Sequence, residues 1–413
     1  MMPSLPGSCF PSRSHARMQA VLILLWTGLV AGIAISWPLW AGARVFPVLP
    51  VVDFWQPWGG LWDAGMAGLA VIMIAAAAWR PQARALLWGG FGGLLLLALQ
   101  DQVRWQPWVF QYLVMLGLAA AGGAGRATSV LAGWRILFIA TYAWSGLHKL
   151  GPGFANLYEA AFLTPLEGHW PGMVMQVLRW QGPVIPWIEI AAACALCFPA
   201  ARKAGVLLAS GTHVVVLLML GPWGTGENPV VLPWNIVMIL MLIVLFWNQP
   251  AAGWKVLWVP GFRWPAVGLL ILVTLTPMLG RVGRWDRYAS FQLYSGSDLR
   301  LFMVLDQAAV QALPPEYHPY LRISAVDPGF QELRFVEWSL KELRVPVPAE
   351  ERLLLALGRK FAGMEMCRQG RTFFYVDYAF LLKERGWDTH PATAISAMLS
   401  IPPFRNTRPS FGE

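Results

Sequence analysis

The stretch VLAGWRILFIATYAWSGLHK, residues 130–149, has the length and composition of a membrane-crossing helix, which needs about 20 mostly apolar residues. It ends in His148 and Lys149, two ionisable residues at the edge of the apolar run. A charged ammonium group in hydrocarbon is costly, so such a residue usually has a partner, a watery cavity or a functional role. This stretch therefore predicts both a membrane protein and a candidate site at the end of one helix.

The composition of the whole chain supports a membrane protein. The chain has 413 residues, of which 57% are hydrophobic and only 13% are charged, whereas about a quarter of the residues in soluble domains are charged. Residues 1–280 hold 14 of the 31 Lys and Arg and 7 of the 22 Asp and Glu. We therefore predict a cytoplasmic N-terminal segment at 1–18, a transmembrane domain at 19–280 and an extracytoplasmic domain at 281–413.

Apolar runs predict about nine spanning helices, at residues 19–40, 61–79, 84–100, 107–123, 130–149, 183–199, 203–221, 229–247 and 263–280. The predicted fold class is a mainly α polytopic membrane bundle with a small mixed α/β domain at its C-terminal end. In that domain, β-branched and aromatic residues predict strands at 300–305, 320–326 and 372–377. The stretch PAEERLLLALGRKFAGM, residues 348–364, predicts an amphipathic helix.

The basic residues of the connecting segments predict an orientation. If the N-terminus is cytoplasmic, the loops on that side satisfy the positive-inside rule. They carry Arg13, Arg17, Arg80, Arg84, Arg126, Arg202, Lys203 and Lys255. The opposite loops are mixed or acidic, and the arginines just after residue 280 are the exception. An odd number of spans then places the C-terminal domain outside, so we expect a multi-pass protein of the cell (inner) membrane with a periplasmic or extracellular C-terminal domain.

Four consecutive predicted spans each place one strongly polar side chain within about 12 Å of their outer ends, at 1.5 Å per residue. These residues are Lys149, Glu189, His213 and Asn235. Such groups cost about 2 kcal/mol or more in hydrocarbon when they have no partner, so their common depth predicts a shared polar pocket that opens outward. Each also has a structural explanation. Lys149 could reach the interface along its stem, Glu189 and His213 could form a packing pair, and Asn235 could satisfy backbone broken by Pro233.

The spacing within residues 142–149 supports the pocket. Tyr142, Ser145 and Lys149 are three and four residues apart, so they share one face of a helix. His148 points about 100° away from that face, and we include it as a candidate pocket residue beside Lys149. Gly146 leaves room for another backbone to approach closely.

Two charged residues and several missing motifs limit the other possibilities. Asp101 and Arg104 lie on the same outer side, where a local ion pair that anchors the loop is the favoured interpretation and a rim of the pocket is the second.

The sequence lacks the spacings of metal sites, P-loops, dinucleotide-binding loops and serine hydrolases, so no metal is expected. The net charge of +9 lies mostly in short membrane loops, which gives no support for nucleic-acid binding. Cys194 and Cys197 form a CxxC within an apolar helix, where packing is favoured over redox chemistry.

The stretch YAWSGLHKL, residues 142–150, resembles the horizontally transferred transmembrane (HTTM) domain family, whose characterised relative is the vitamin K-dependent γ-carboxylase. That family carries an aromatic–x–x–(A/S)–G–φ–x–K–L pattern at the outer end of a helix. The matching positions are Tyr142, Ser145, Gly146, Lys149 and Leu150. The segments DQVRWQPWVFQY, PWNIVMILMLIVLF, RYASFQLYSGSDL and VEWSLKELRVPVPAEER resemble an uncharacterised bacterial branch of the same group.

The resemblance implies a chemistry for this pocket. In the carboxylase, the matching lysine is the base that deprotonates reduced vitamin K, so the resemblance implies that Lys149 is a base and that a reduced quinone is the cofactor. It also implies a multi-span body with a C-terminal domain on the outer side. Two departures are clear: His148 stands where the carboxylase has a second lysine, and the outer domain here is far shorter.

We therefore expect a membrane enzyme that uses a lipid-soluble quinol, with Lys149 as base and His213 as proton relay. Glu189 would hold either a quinol hydroxyl or Lys149 itself. The alternative hypotheses are a non-catalytic membrane scaffold or binding protein that keeps the polar pocket, and a proton-coupled transporter. The expected partners are the lipid bilayer and a quinol or protein substrate on the outer side.

Overall fold

The computed structural model describes residues 13–42, 44–52, 55–122, 127–226, 228–248, 264–296, 299–324, 327–378 and 388–391. Several predictions fall outside these residues: the N-terminal segment up to residue 12, the loop residues Arg126 and Lys255, the end of the predicted strand 320–326, and the chain from residue 392 onward.

The described part of the chain is mainly helical. Its α-helices are α1 (Arg13–Ile35), α2 (Trp37–Ala41), α3 (Gly60–Trp79), α4 (Arg84–Gln100), α5 (Pro107–Gly122), α6 (Ala127–Lys149), α7 (Pro152–Leu157), α8 (Gly172–Gln181), α9 (Ile185–Cys197), α10 (Arg202–Leu220), α11 (Val231–Phe246), α12 (Trp264–Thr274), α13 (Pro277–Gly280), α14 (Gln307–Ala312), α15 (Phe335–Leu343), α16 (Glu351–Ala362) and α17 (Met366–Gln369). A π-helical turn at Tyr158–Leu163 and short 3-10 turns join α7, α8 and α9.

Four of the described helices, α1, α3, α6 and α10, are long and apolar enough to cross a membrane. Apolar helices of 10–17 residues coincide with most of the other predicted spans, namely α4, α5, α11 and the stretch that contains α12 and α13. Helix α9 has 13 residues, because Pro186 starts it and Pro199 follows it closely. Every predicted span thus coincides with a helix, but only four have the full length, and the first begins at Arg13 rather than at residue 19.

Helix α5 lies at the centre of the helical body. Every one of its residues is buried, as expected for a helix that is apolar on all sides. Around it, α6 packs against α9, α9 against α10, α10 against α11, and α11 against α1. Helix α12 packs against both α5 and α6. This order brings the helices that carry the four predicted pocket residues side by side.

The C-terminal part forms a five-stranded antiparallel sheet. Its strands are β1 (Leu299–Leu305), β2 (Leu321–Ile323), β3 (Gln331–Arg334), β4 (Thr372–Tyr378) and β5 (Asp388–Pro391), in the spatial order β2-β3-β1-β4-β5. In the central strand, Met303 faces Leu333 of β3 and Phe374 of β4. Helices α15 and α16 pack against β1, and their Trp338 and Phe361 are fully buried. The predicted helix and two of the predicted strands are confirmed, β2 is shorter than predicted, and β3 and β5 are additional.

The sheet domain lies against one end of the helical body. Glu342 of α15 accepts hydrogen bonds from the backbone N–H groups of Val45 and Phe46, at 2.5 and 2.9 Å. Lys360 of α16 donates to the carbonyl of Val48 at 2.8 Å, and the rings of Phe46 and Trp338 lie 4.7 Å apart. The domain therefore contacts the segment between α2 and α3, which the charge pattern assigned to the same side as the end of α6.

Candidate functional site

Lys149 and Glu189 form a buried ion pair. The Nζ atom of Lys149, at the last residue of α6, donates to both carboxylate oxygens of Glu189 at 2.8 Å and to Oγ of Ser145 at 2.6 Å. Both charged residues are less than one-tenth exposed. The sequence left open whether Glu189 would hold Lys149 or a substrate hydroxyl, and in this structure it holds Lys149.

A glycine allows this pair to form. Helices α6 and α9 are so close at Gly146 that a Cβ atom added there would lie 2.6 Å from the carbonyl oxygen of Pro186. Any larger residue would push α9 away, and Glu189 lies one helical turn after Pro186. The predicted close backbone approach at Gly146 is therefore present. It sets the distance between the two charged groups.

The ion pair lies on the wall of a cavity of about 360 Å³. Most of the wall is apolar, and polar side chains line only a small part of it. Its lining residues are Lys149, Phe154, Tyr158, Phe162, Gln181, Ile185, Ile188, Glu189, Leu207, Leu208, Gly211, Thr212, Val215, Val216, Met219, Leu220 and Tyr294. The volume lies within the range of about 300–1,000 Å³ that is usual for small-molecule sites, as does an apolar wall with a few convergent polar groups.

Tyr142, His213 and Asn235 form a second polar group, beside the cavity rather than in its wall. Tyr142 OH lies 2.7 Å from Nε2 of His213, and Nδ1 of His213 lies 2.5 Å from Oδ1 of Asn235. The Nδ2 group of Asn235 donates to the carbonyl of Val231 at 2.7 Å, which fixes the orientation of the amide. Because Oδ1 can only accept, Nδ1 of His213 carries a hydrogen, and in the neutral ring Nε2 accepts from Tyr142. The predicted pocket residues are thus divided into an ion pair on the wall and a hydrogen-bonded chain beside it.

His148 is not part of either group. It stacks beside Trp144 on α6, with 5.8 Å between the ring centres, and it is absent from the residues that line the cavity. The 100° separation on the helix explains this placement, since the pocket face of α6 is the one that carries Tyr142, Ser145 and Lys149. The assignment of His148 to the pocket is therefore wrong.

Asp101 and Arg104 do not pair with each other. Asp101 accepts from Arg44 at 2.5 Å, and Arg104 donates to Asp63 at 2.5 Å. Arg104 also donates to the carbonyls of Leu39 and Leu97, at 3.0–3.1 Å. Both residues are fully buried and neither lines the cavity. The favoured local pair and the second interpretation as a pocket rim are both corrected: each residue instead joins distant segments of the chain.

The aromatic part of the wall was not predicted from the sequence. Phe154, Tyr158 and Phe162 line the cavity from the segment between α6 and α9, and Tyr294 lies 5.2 Å from Phe162, ring to ring. Burial and the neighbouring Glu159 carboxylate raise the pKa of Tyr158 to about 12, so its hydroxyl stays neutral and donates to the carbonyl of Leu178 at 3.1 Å. The four-residue spacing of the three aromatic residues was the available signal.

Metal binding has no support among the described residues, where no group of three or more His, Cys, Asp and Glu side chains is arranged around a common point. Cys194 is exposed and Cys197 is half-buried on α9, and the thiol of Cys197 donates to the carbonyl of Ala193 one turn earlier. An apolar cavity with one charged pair suits an organic molecule that dissolves in lipid. The residues present would hold such a molecule by burying its apolar part and by hydrogen-bonding its polar group to Lys149 and Glu189.

Comparison with known proteins adds no relative: no protein-family model matches the chain, and neither the curated proteins nor the solved structures gave a match.

Proposed function

We propose that this protein is a multi-pass membrane protein whose cavity binds a lipid-soluble molecule with a hydroxyl group, such as a quinol. The observation that carries the proposal is the Lys149–Glu189 ion pair on the wall of an otherwise largely apolar cavity of about 360 Å³. Buried charges without a structural need usually mark a functional site. The choice of a quinol rests on the resemblance of residues 142–150 to the HTTM family.

Binding would use both members of the ion pair. A ligand hydroxyl can donate to a carboxylate oxygen of Glu189, which has further lone pairs. It can accept from the ammonium of Lys149 by replacing one of the three acceptors that Nζ now has. The aromatic wall of Phe154, Tyr158 and Phe162 would pack against an aromatic ring of the ligand, where ring pairs contribute about 0.5–1.5 kcal/mol beyond burial.

Catalysis would require one proton to move within the pair. As an ammonium group Lys149 cannot act as a base. Transfer of one proton from Nζ to Glu189 would give a neutral amine and a carboxylic acid. The amine could then take the proton of the quinol hydroxyl, which leaves a quinolate next to the ammonium of Lys149.

The second candidate function is binding without catalysis. Nζ of Lys149 already donates to Ser145 and to both oxygens of Glu189, which favours a stable ammonium over a free base. In that case the pair would hold a lipid-soluble ligand, or keep the helices in place, without changing the ligand chemically.

We also propose that the remaining apolar helices complete about nine spans, with the N-terminus in the cytoplasm and the sheet domain on the outer side of the cell membrane. Contacts of Glu342 and Lys360 with residues 45–48 support a common side for the sheet domain and the segment after α2. Arg281, an exception to the charge rule, donates to the carbonyl of Leu147 at the end of α6.

The test is quinol binding and turnover by the purified full-length protein in lipid nanodiscs. Reduced menaquinone, ubiquinone and vitamin K are supplied in turn, and the products are identified by mass spectrometry. The variants are Lys149→Met and Glu189→Gln, and the matched control is Lys203→Met. Lys203 lies on α10, outside the cavity lining, with its Nζ 5.5 Å from the ring of Trp247.

We expect both cavity variants to lose binding and turnover while Lys203→Met keeps them. Binding in the wild type without any turnover would favour the non-catalytic function. If no quinol binds to a wild-type protein that is folded, the quinol proposal is wrong. Equal loss in all three variants would show that the loss is not specific to the cavity, and it would contradict the proposal.

A further inference from the structure

Helix α8 has two apolar faces on opposite sides. At about 100° per residue, Met175 and Leu178 lie on one face, and both are buried against the segment that lines the cavity. Met173, Val177 and Trp180 lie on the other face, within an arc of about 60°. Their side chains are 80%, 52% and 76% exposed. A ten-residue helix therefore presents a second apolar face that no described residue of the chain covers.

The polar residues of α8 lie between these two faces. Gln176 and Arg179 fall on one flank, and Arg179 pairs with Glu159 and Glu167, where all three side chains are about half exposed. One flank of the helix is thus suited to water while the face beside it is suited to hydrocarbon. This division is typical of a helix that lies along a membrane surface with its apolar side in the lipid.

The position of α8 in the chain fits the same arrangement. It begins 23 residues after the end of α6, a helix of membrane-crossing length, and a short turn joins it to α9. Two further exposed tryptophans belong to this end of the body: Trp187 in the first turn of α9, 60% exposed, and Trp223, 72% exposed, whose carbonyl accepts from Trp170. Tryptophan is enriched at the boundary between lipid headgroups and acyl chains.

We propose that α8 lies in the plane of the membrane, at the interface on the side where α6 ends, with Met173, Val177 and Trp180 in contact with lipid. The occupant of the face is therefore the lipid surface of the leaflet that surrounds the body. This inference needs only a membrane around the helical body, and it is independent of whether the cavity binds a quinol.

The proposal gives the membrane a structural role at the cavity. The buried face of α8 packs in the same apolar cluster as Phe154, Tyr158 and Phe162, and the carbonyl of Leu178 accepts from the Tyr158 hydroxyl. Lipid contact on the outer face of α8 therefore holds the aromatic wall of the cavity in place.

Site-directed spin labelling tests the placement. The full chain, with its four native cysteines replaced by serine, receives Met173→Cys, Val177→Cys or the matched control Gln176→Cys, is labelled with a nitroxide and is placed in nanodiscs. Power saturation then compares collisions with oxygen, which concentrates in lipid, and with a water-soluble nickel complex. We expect the ratio of oxygen to nickel accessibility to be several-fold higher at positions 173 and 177 than at 176.

Each other outcome overturns the proposal. High nickel accessibility at all three positions would place α8 in water. Low accessibility to both reagents at 173 and 177 would show that a second copy of the chain or another protein covers the face. If the cysteine-free chain does not fold, wild-type protein can be labelled with a phosphatidylcholine that carries a diazirine in its acyl chain. Label must then map to residues 173–180, and its absence there contradicts the proposal.

Discussion

The buried charges of this molecule form two regions that differ in residue type and surroundings. At the end of the helical body near the sheet domain, three arginines pair with aspartates: Arg44 with Asp101, Arg104 with Asp63, and Arg352 with Asp286. Beside the cavity, a lysine pairs with a glutamate. We call the first set the arginine cluster and the second the cavity pair.

The two regions differ in what surrounds their charged groups. Arg104 binds two backbone carbonyls in addition to Asp63, and Arg352 binds Gln102 in addition to Asp286. Arginine suits such sites because its planar group offers five donors in fixed directions. The cavity pair instead borders a cavity of about 360 Å³. Buried charge alone therefore does not distinguish the candidate site, which combines buried charge with a cavity.

The largest expected effect is on stability, from Arg104→Met. This change leaves Asp63 buried without its ion-pair partner, which typically costs about 3–5 kcal/mol. Thermal unfolding of the purified protein in detergent measures it. Arg179→Met is the control, because its ion pairs are half exposed and exposed pairs contribute little to stability. A similar change in melting temperature for both variants would remove the distinction between buried and exposed pairs.

The next largest difference in stability is expected between double replacements in the two regions. In Lys149→Met/Glu189→Leu both charges are removed together, and apolar residues of similar volume often restore or raise stability. Arg104→Met/Asp63→Leu stays destabilised, since the carbonyls of Leu39 and Leu97 lose their donors at about 1–3 kcal/mol each. Thermal unfolding of both double variants and of wild type measures these changes in stability. Recovery in both would mean that the arginine cluster is as replaceable as the cavity pair.

A smaller loss of stability is expected when the chain of hydrogen bonds beside the cavity is interrupted. Tyr142→Phe removes the donor to Nε2 of His213 and leaves that buried nitrogen without it, at a cost of about 1–2 kcal/mol. Nitrogen-15 NMR of labelled histidine should show the hydrogen on Nδ1 in the wild-type protein. A hydrogen on Nε2 of the neutral ring, or a Tyr142→Phe variant as stable as wild type, would contradict this arrangement.

A further effect concerns the pH dependence of the arginine cluster. Burial and the carboxylate of Glu350 raise the pKa of Asp286 to about 6, despite the opposing effect of Arg352. The folded protein then binds this proton more tightly than the unfolded chain, whose aspartates titrate near pH 3.9, an approximate reference value. The stability from this group is therefore complete below about pH 4 and is lost as the pH rises through about 6.

Asp286→Asn should accordingly reduce the fall in melting temperature between about pH 4.5 and pH 7.5. The comparison is made between wild type and variant in the same buffers, because other groups titrate in both. An unchanged difference between the two pH values would show that Asp286 keeps its ordinary pKa in the folded protein.

The spacing of residues along the sequence predicted which side chains share one face of a helix. The shared face of Tyr142, Ser145 and Lys149 follows from a spacing of three and four residues, and all three side chains are buried. The same spacing placed His148 elsewhere, although it was still included in the pocket. Helix positions were also predicted well, because apolar composition marks them directly.

Pairing between distant segments could not be predicted in this way. Asp101 and Arg104 are three residues apart, which suggested a local pair, but their partners Arg44 and Asp63 lie 57 and 41 residues away. Which partner each residue takes depends on how α2, α3 and α4 pack, and a single sequence contains no direct signal for that packing. The full length of the spans was likewise overestimated, since prolines 186 and 199 limit α9 to 13 residues.

The burial of α5 has a consequence for how the protein is made. Helix α5 is surrounded on all sides, and part of its cover is α12, whose Leu269 lies so close that a Cβ added to Gly117 would be 2.7 Å away. Helix α12 begins 142 residues after the end of α5. During synthesis, α5 thus lacks part of its cover until α12 has emerged, so packing of the helical body is completed late.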